Sequence, residues 1–128
     1  MPFIRVTALG SRLAPEQVSR LGSGITALME GVLGKKPSLT SVLVEQPSNA
    51  GWFINGEPTW IAVQVDANIS AGTNSAEEKA DFIDKAMKLL RAVFGSALSP
   101  VTYVIIHEIP AESWGYDGRT QESRRLAA

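Results

Sequence analysis

Apolar and polar residues form two kinds of pattern along this chain, and the patterns occur twice in the same order. Four segments are rich in strand-forming residues, and in one of them Ile61, Val63 and Val65 take every second position. Such alternation is typical of a β-strand with one buried face. The predicted strands cover residues 2–8, 39–45, 60–69 and 103–106.

Between the strands of each pair, apolar residues recur at helical spacing. The first helix is expected over residues 15–33, because its first residue is a proline and Gly34 follows its last. Its predicted buried face consists of Val18, Leu21, Ile25, Leu28, Met29 and Val32. The second helix is expected to begin at a capping box of Ser75 and Glu78 and to end at Gly95. Its predicted buried face consists of Ile83, Ala86, Met87, Leu90 and Phe94.

A common motif follows each pair of strands. Residues 45–57 and 108–119 both read E-x-P, a short spacer and then W-x-x-x-G. The interval between the tryptophans, Trp52 and Trp114, equals the interval between the glycines that close the motifs. Agreement in order and spacing indicates an internal repeat. We therefore predict a single domain, 1–128, built of two repeats, about 2–58 and 59–119, with a short C-terminal tail.

Each repeat has the pattern of a β-α-β unit, in which a helix joins two parallel strands by a right-handed crossover. Two units would combine into a four-stranded mixed sheet of the α/β (α+β) class. Both helices would cover one face, because each has a single apolar stripe. The other face, expected to carry Leu, Val and Ile, would then be free to pack against other copies, so an oligomer is predicted.

Composition narrows the possible functions. The 128 residues include 12 basic and 13 acidic side chains, so no basic surface favours nucleic acid. The chain has no cysteine and one histidine, which excludes a zinc site built mainly of these ligands. No leader sequence and no apolar span of membrane length is evident. We expect a cytoplasmic protein with no membrane partner and no metal.

The candidate chemistry begins at Pro2, which follows Met1 and opens the first strand. If Met1 is removed, Pro2 becomes a secondary amine at the end of a rigid strand. Such an amine can accept and return a proton, or attack a carbonyl, when burial or nearby cations lower its pKa. A structural role, in which Pro2 merely begins a strand, is the alternative.

The residues resemble those of the tautomerase superfamily over nearly the whole chain. Four features carry the resemblance: Pro2 after Met1, the loop 10–12, Ser41-Val42 in the second strand, and the segment 51–57. The doubled unit resembles the trimeric branch that includes macrophage migration inhibitory factor, cis-3-chloroacrylic acid dehalogenase and malonate semialdehyde decarboxylase. The resemblance implies a cofactor-independent isomerase with an amino-terminal proline as general acid and base. A small 2-keto acid or its enol would be the substrate, and a homotrimer the assembly.

The resemblance also implies roles for particular residues. Pro2 and Tyr103 are the expected catalytic residues. The expected substrate-binding residues are Arg12, Lys35, Trp52, His107 and Trp114.

Other positions depart from the family pattern. Leu43 and Tyr103 stand where the short enzymes have a carboxylate-binding arginine. Met29 replaces a dehalogenase histidine, and residues 69–74 lack two dehalogenase arginines, so dehalogenation is disfavoured. Two alternatives stay open: a lyase on the same scaffold (hydratase, decarboxylase or aldol-type addition through Pro2), and a trimeric binding protein without catalysis.

Overall fold

The first strand of the chain lies inside a four-stranded mixed sheet, as the computed structural model shows. β1 (Phe3–Leu9) pairs in parallel with β2 (Ser41–Glu45) and antiparallel with β5 (Ala62–Ser70). β6 (Val104–Ile109) extends the sheet in parallel with β5, which gives the order β2-β1-β5-β6. The predicted mixed sheet of two β-α-β units is thereby confirmed.

The structure describes residues 2–10 and 12–127. Met1, whose removal matters to the expected chemistry, and Ser11, part of the predicted loop motif, lie outside the described residues. Within the described ranges, no helix has the length and apolar character needed to cross a lipid bilayer.

Two long helices connect the parallel strands. α1 (Pro15–Gly31) begins where the Gln17 side chain accepts a hydrogen bond from the Ala14 amide, at 2.8 Å. α2 (Ala76–Phe94) begins at the predicted capping box, where Ser75 and Glu78 exchange hydrogen bonds. Gly95, at φ 94°, ends α2 in a conformation that glycine adopts without strain.

Both helices pack on one face of the sheet, as predicted. Ile4, Val6 and Val65 of the sheet are fully buried against α1 and α2. The helices also approach each other closely, since a methyl group added at Gly24 would lie 2.8 Å from the Leu89 side chain.

Three details of the helices and of β2 differ from the predictions. Ile83, expected on the inner face of α2, is 41% exposed, and its neighbour Phe82 is buried instead. Val18, expected on the inner face of α1, is 38% exposed. Adjacent apolar residues lie about 100° apart around a helix, so the direction of packing decides which one is buried. β2 begins later than expected, because residues Pro37–Leu39 form a 3₁₀ turn.

Each repeat closes with a small antiparallel ribbon. β3 (Phe53–Ile54) pairs with β4 (Glu57–Pro58), and β7 (Gly115–Tyr116) pairs with β8 (Arg119–Thr120). The turns between them have positive φ at both central residues, in an Asn-Gly and an Asp-Gly pair. These sequences favour the tight hairpin turn that matches strand twist.

The face of the sheet opposite the helices is more polar than expected. Leu43 and Ile105 are partly exposed on it, but the central strands present Arg5, Asp66 and other polar side chains. Asp66 Oδ1 lies 2.8 Å from Nε2 of His107 on β6. The prediction of a Leu, Val and Ile face is therefore correct mainly at the outer strands, because the middle positions of β1 and β5 on this face are Arg5, Thr7, Gln64, Asp66 and Asn68.

The C-terminal tail is structured. After β8 the chain continues directly into α3 (Gln121–Ala127), which packs against a 3₁₀ turn at Ala111–Ser113. This short helix was not predicted.

Candidate active site

Pro2 is fully buried at one end of the sheet. Its carbonyl oxygen accepts a hydrogen bond from the Ser41 amide at 3.1 Å. Because Phe3 pairs with Asn68, the register places Pro2 beside Ile69. Pro2 therefore lies where β2 begins and β5 ends.

A cavity of about 660 Å³ opens at this same end of the sheet. Its volume is within the range of small-molecule sites. Three parts of the chain line it: the turn after α1, the loop that follows β5, and the C-terminal region. The lining side chains with formal charge are Lys35, Lys36, Glu122, Arg124 and Arg125. The excess of cations makes the cavity suited to an anion.

Lys35 is placed by the reversal of the chain after α1. Gly34 has φ 69°, which allows the Lys35 amide to bond back to the Met29 carbonyl at 2.9 Å. The Lys35 Nζ then donates to Thr73 Oγ1 at 2.9 Å, across the loop that follows β5. Burial lowers the pKa of Lys35, and the carboxylate of Glu78 partly opposes that shift.

Arg124 enters the cavity from α3. Its guanidinium carbon lies 3.8 Å from the centre of the Tyr116 ring, and its Nη2 donates to the Tyr116 carbonyl at 3.0 Å. The neighbouring Arg125 is bonded to Glu122, and this hydrogen bond holds the pKa of Glu122 below its usual range. The two arginines thus differ: Arg125 is neutralised by Glu122, whereas Arg124 is held by the ring and the carbonyl of Tyr116.

Trp114 borders the cavity through a hydrogen bond. Its Nε1 donates to Oγ of Ser70, which lines the cavity, at 3.2 Å. The carbonyl of Trp114 accepts from the Gln121 amide at 2.9 Å, at the start of α3. Trp114 therefore connects the end of β5 to the C-terminal helix.

The other expected site residues lie elsewhere in the subunit. Trp52 and Tyr103 line a second groove of about 380 Å³ together with Val63 and Gln64. Arg12 lines separate surface depressions near the start of α1. β1 has seven residues, so roughly 20 Å separates these positions from Pro2. The structure thus places Lys35 and Trp114 at the end of the sheet where Pro2 lies, although Pro2 is not itself among the residues that line the cavity. Arg12, Trp52 and Tyr103 lie at the opposite end of the sheet.

His107 lies on the open face of the sheet, paired with Asp66, and it is not among the residues that line the cavity.

The duplicated pattern is also evident in a comparison with known families. A family model described as "Tautomerase enzyme" matches residues 2–62 and then residues 62–124. The chain belongs to the tautomerase family.

Other members of the superfamily agree with this assignment. The probable tautomerase K2 of Dickeya dadantii (strain 3937) is 33% identical over 57 residues, which are 44% of this chain and 85% of that protein. Membership of the family supports an enzyme of the tautomerase type.

Solved structures of the tautomerase superfamily have the same fold. A wild-type fused 4-OT described as an asymmetric trimer is 22% identical, with a TM-score of 0.81 over 95% of this chain and 98% of its own. A member of the cis-3-chloroacrylic acid dehalogenase family is 18% identical, with a TM-score of 0.81 over 98% of this chain and 91% of its own. A macrophage migration inhibitory factor-like protein from Entamoeba histolytica is 18% identical, with a TM-score of 0.77 over 93% and 97% of the chains. The resemblance expected from the sequence is confirmed.

Each tautomerase match covers one β-α-β unit, and the two units have unequal starts. Pro2 in the first unit corresponds to Val63 in the second, and Ile4 corresponds to Val65. All four side chains are buried on the face of the sheet that the helices cover. The groove that contains Val63 is thus the counterpart of the region around Pro2. Val63 lies within the chain, and its nitrogen is an amide rather than an amine.

Sequence reasoning missed the contribution of α3. Arg124, Gln121 and Tyr116 line the cavity, but none was among the expected site residues. The available signal was the concentration of arginines near the end of the chain. Without the path of the chain after β8, that signal could not be assigned to the end of the sheet where Pro2 lies.

Proposed function

We propose that this protein is a cofactor-independent tautomerase that moves a proton within a small 2-oxo acid or its enol. The amine of Pro2, free once Met1 is removed, takes the proton from one atom of the substrate and returns it to another. Such an amine works near neutral pH only if its pKa is lowered. The observation that carries the proposal is the burial of Pro2 at the end of the sheet where the cationic cavity opens.

Burial and nearby positive charge act on the amine in the same direction. Both disfavour the protonated form and so lower its pKa. Lys35, which lines the cavity at this end of the sheet, has a pKa that burial lowers in the same direction. A neutral amine at working pH can then serve as the base.

The cavity also favours a carboxylate on the substrate. Lys35 and Arg124 can each donate charge-assisted hydrogen bonds to an oxyanion. In this proposal Trp114 borders the same site through Ser70.

The remaining expected residues can join the site only across a subunit interface. Arg12, Trp52 and Tyr103 lie too far from Pro2 within one chain, so we propose that a neighbouring copy supplies them in a homotrimer. His107 would lie at the packed sheet faces rather than in the cavity. The fused 4-OT structures described as trimers support this assembly.

The test measures processing and catalysis together. An intact mass lower by one methionine would establish the free amine. Ketonisation of the enol of phenylpyruvate is then followed by ultraviolet absorbance for the wild type, Pro2→Ala and a control, Pro47→Ala, at an exposed loop proline. Loss of general acid-base catalysis is expected to lower kcat/KM of Pro2→Ala by about 10²- to 10⁴-fold. Equal rates for all three proteins would contradict the proposal.

A further inference from the structure

Arg124 is a cation whose charge no carboxylate neutralises within the described part of the chain. Among the cavity's other charged groups, Lys35 bonds to Thr73 and Arg125 pairs with Glu122, whereas Lys36 is an exposed lysine at the rim. Arg124 instead stacks on the Tyr116 ring and bonds to the Tyr116 carbonyl. A guanidinium held in this way keeps its position while its charge stays available.

Two buried nitrogens on α3 have no acceptor. Among the described residues, Nε of Arg124 and Nε2 of Gln121 are shielded from solvent and make no hydrogen bond. The two residues are three positions apart on α3, so they lie on the same side of the helix. A buried donor without a partner costs about 1–3 kcal/mol, more when it is charged. Such a pair of donors indicates that the matching acceptor comes from outside the chain.

We infer that Arg124 binds the carboxylate of the substrate, with Gln121 as a second donor and Tyr116 as the positioning residue. This inference rests on the proposed function, since the anion is the carboxylate of the 2-oxo acid. On binding, the carboxylate oxygens accept hydrogen bonds from the guanidinium, and a small shift of α3 brings the two unpaired nitrogens to them. The C-terminal helix thereby contributes the anion contact of the cavity.

Equilibrium binding measurements, made after the two tautomers have equilibrated, test the inference separately from the rate of the proposed chemistry. Isothermal titration compares phenylpyruvate with its uncharged methyl ester on the wild type, Arg124→Met and Arg119→Met. Arg119 is an exposed arginine that bonds to Ser123 and is not among the residues lining the cavity, so its variant is the matched control. Losing charge-assisted hydrogen bonds is expected to weaken acid binding to Arg124→Met by about 10- to 100-fold. The affinity of Arg124→Met for the ester is expected to change less than about twofold, because the ester carries no charge. The affinities of Arg119→Met for the acid and for the ester are also expected to change less than about twofold, because an exposed charge contributes little.

Several results would overturn the inference. Equal acid affinity in the wild type and Arg124→Met would do so, and so would an equal loss for acid and ester, which indicates a structural role. A wild type that binds the acid no better than the ester would also contradict it. Failure of the proposed function would give a different result. Pro2→Ala would then retain ketonisation activity, while the loss of acid affinity in Arg124→Met would still be observed.

A measurement on the wild type covers the case in which Arg124→Met does not fold. The Nε–H resonance of Arg124, assigned by through-bond NMR, is followed while phenylpyruvate is added. A saturable shift of this resonance, with none for Arg119, is expected. An unmoved Arg124 resonance at saturating acid would overturn the inference.

Discussion

The indole nitrogen of Trp114 donates a hydrogen bond to the hydroxyl of Ser70, with the two atoms 3.2 Å apart. This bond joins the second ribbon to the last residue of β5. Through its carbonyl, Trp114 also holds the Gln121 amide at the start of α3. One residue thus fixes two walls of the cavity, the end of β5 and the C-terminal helix.

Replacing Trp114 by Phe should weaken this connection. An aromatic ring is kept, but it is smaller than the indole and cannot donate to the Ser70 hydroxyl. Loss of the hydrogen bond and of some packing is expected to cost about 1–2 kcal/mol of unfolding free energy. Urea denaturation followed by circular dichroism measures the change. Trp60→Phe is the control, since Trp60 is 81% exposed and should tolerate the replacement. Equal midpoints for wild type and Trp114→Phe would contradict the structural role of the bond.

Lys35 should make stability depend on alkaline pH. Its pKa is lowered in the folded protein by burial, whereas in the unfolded chain it is near the ordinary value of 10.5. Between these two pKa values the unfolded chain binds more protons, so the unfolding free energy contributed by this group rises with pH. Below the folded pKa the unfavourable burial of the charge is fully present.

The Lys35→Met variant isolates this effect. As the pH rises from the folded to the unfolded pKa of Lys35, the unfolding free energy of the wild type should increase relative to that of Lys35→Met. Thermal unfolding at a series of pH values measures it, with Lys36→Met, at an exposed lysine, as the control. A constant difference between wild type and Lys35→Met would show that burial does not perturb this amine.

The open sheet face should carry the proposed assembly. Ile105 is 36% exposed on this face, and an aspartate there would place an unpaired charge in a packed interface. We expect Ile105→Asp to shift the protein toward monomers in sedimentation velocity. Ile83→Asp, at a 41% exposed site on α2, should leave the assembly unchanged. Dissociation by both variants or by neither would argue against packing through the sheet face.

Two glycines of α1 should respond to alanine in opposite ways. A methyl group at Gly22 meets nothing within 4 Å, so Gly22→Ala should gain up to about 1 kcal/mol from helix propensity. At Gly24 the methyl group would lie 2.8 Å from the Leu89 side chain, which must move, so the gain should be smaller or reversed. Chemical denaturation of both variants measures their unfolding free energies. Equal increases would mean that the Leu89 side chain on α2 moves aside without an energetic penalty.

Most of the fold could be predicted because local signals and repeat spacing agree. The capping box at Ser75 and the glycines that end the helices mark element boundaries by local hydrogen bonding and backbone freedom. The choice between Phe82 and Ile83 could not be made, because the direction from which the sheet meets α2 is a tertiary property.

The candidate site was less predictable than the fold. Lys35 follows a helix end that the sequence marks clearly, and the structure places it in the cavity. Arg124 could not be placed, because α3 has only seven residues and too few turns to show a periodic apolar face. Its position depends on the ribbon and on Trp114, which are contacts between distant parts of the chain.

The second β-α-β unit begins inside the polypeptide, at β5. A chain has one amino terminus, so joining two units halves the number of terminal amines per unit in any assembly. Chemistry that needs such an amine is limited to one centre per polypeptide, however alike the two halves become. The groove around Val63 is therefore released from that requirement, so its Trp52 and Tyr103 can complete the proton-transfer centre of a neighbouring subunit instead of serving one of their own.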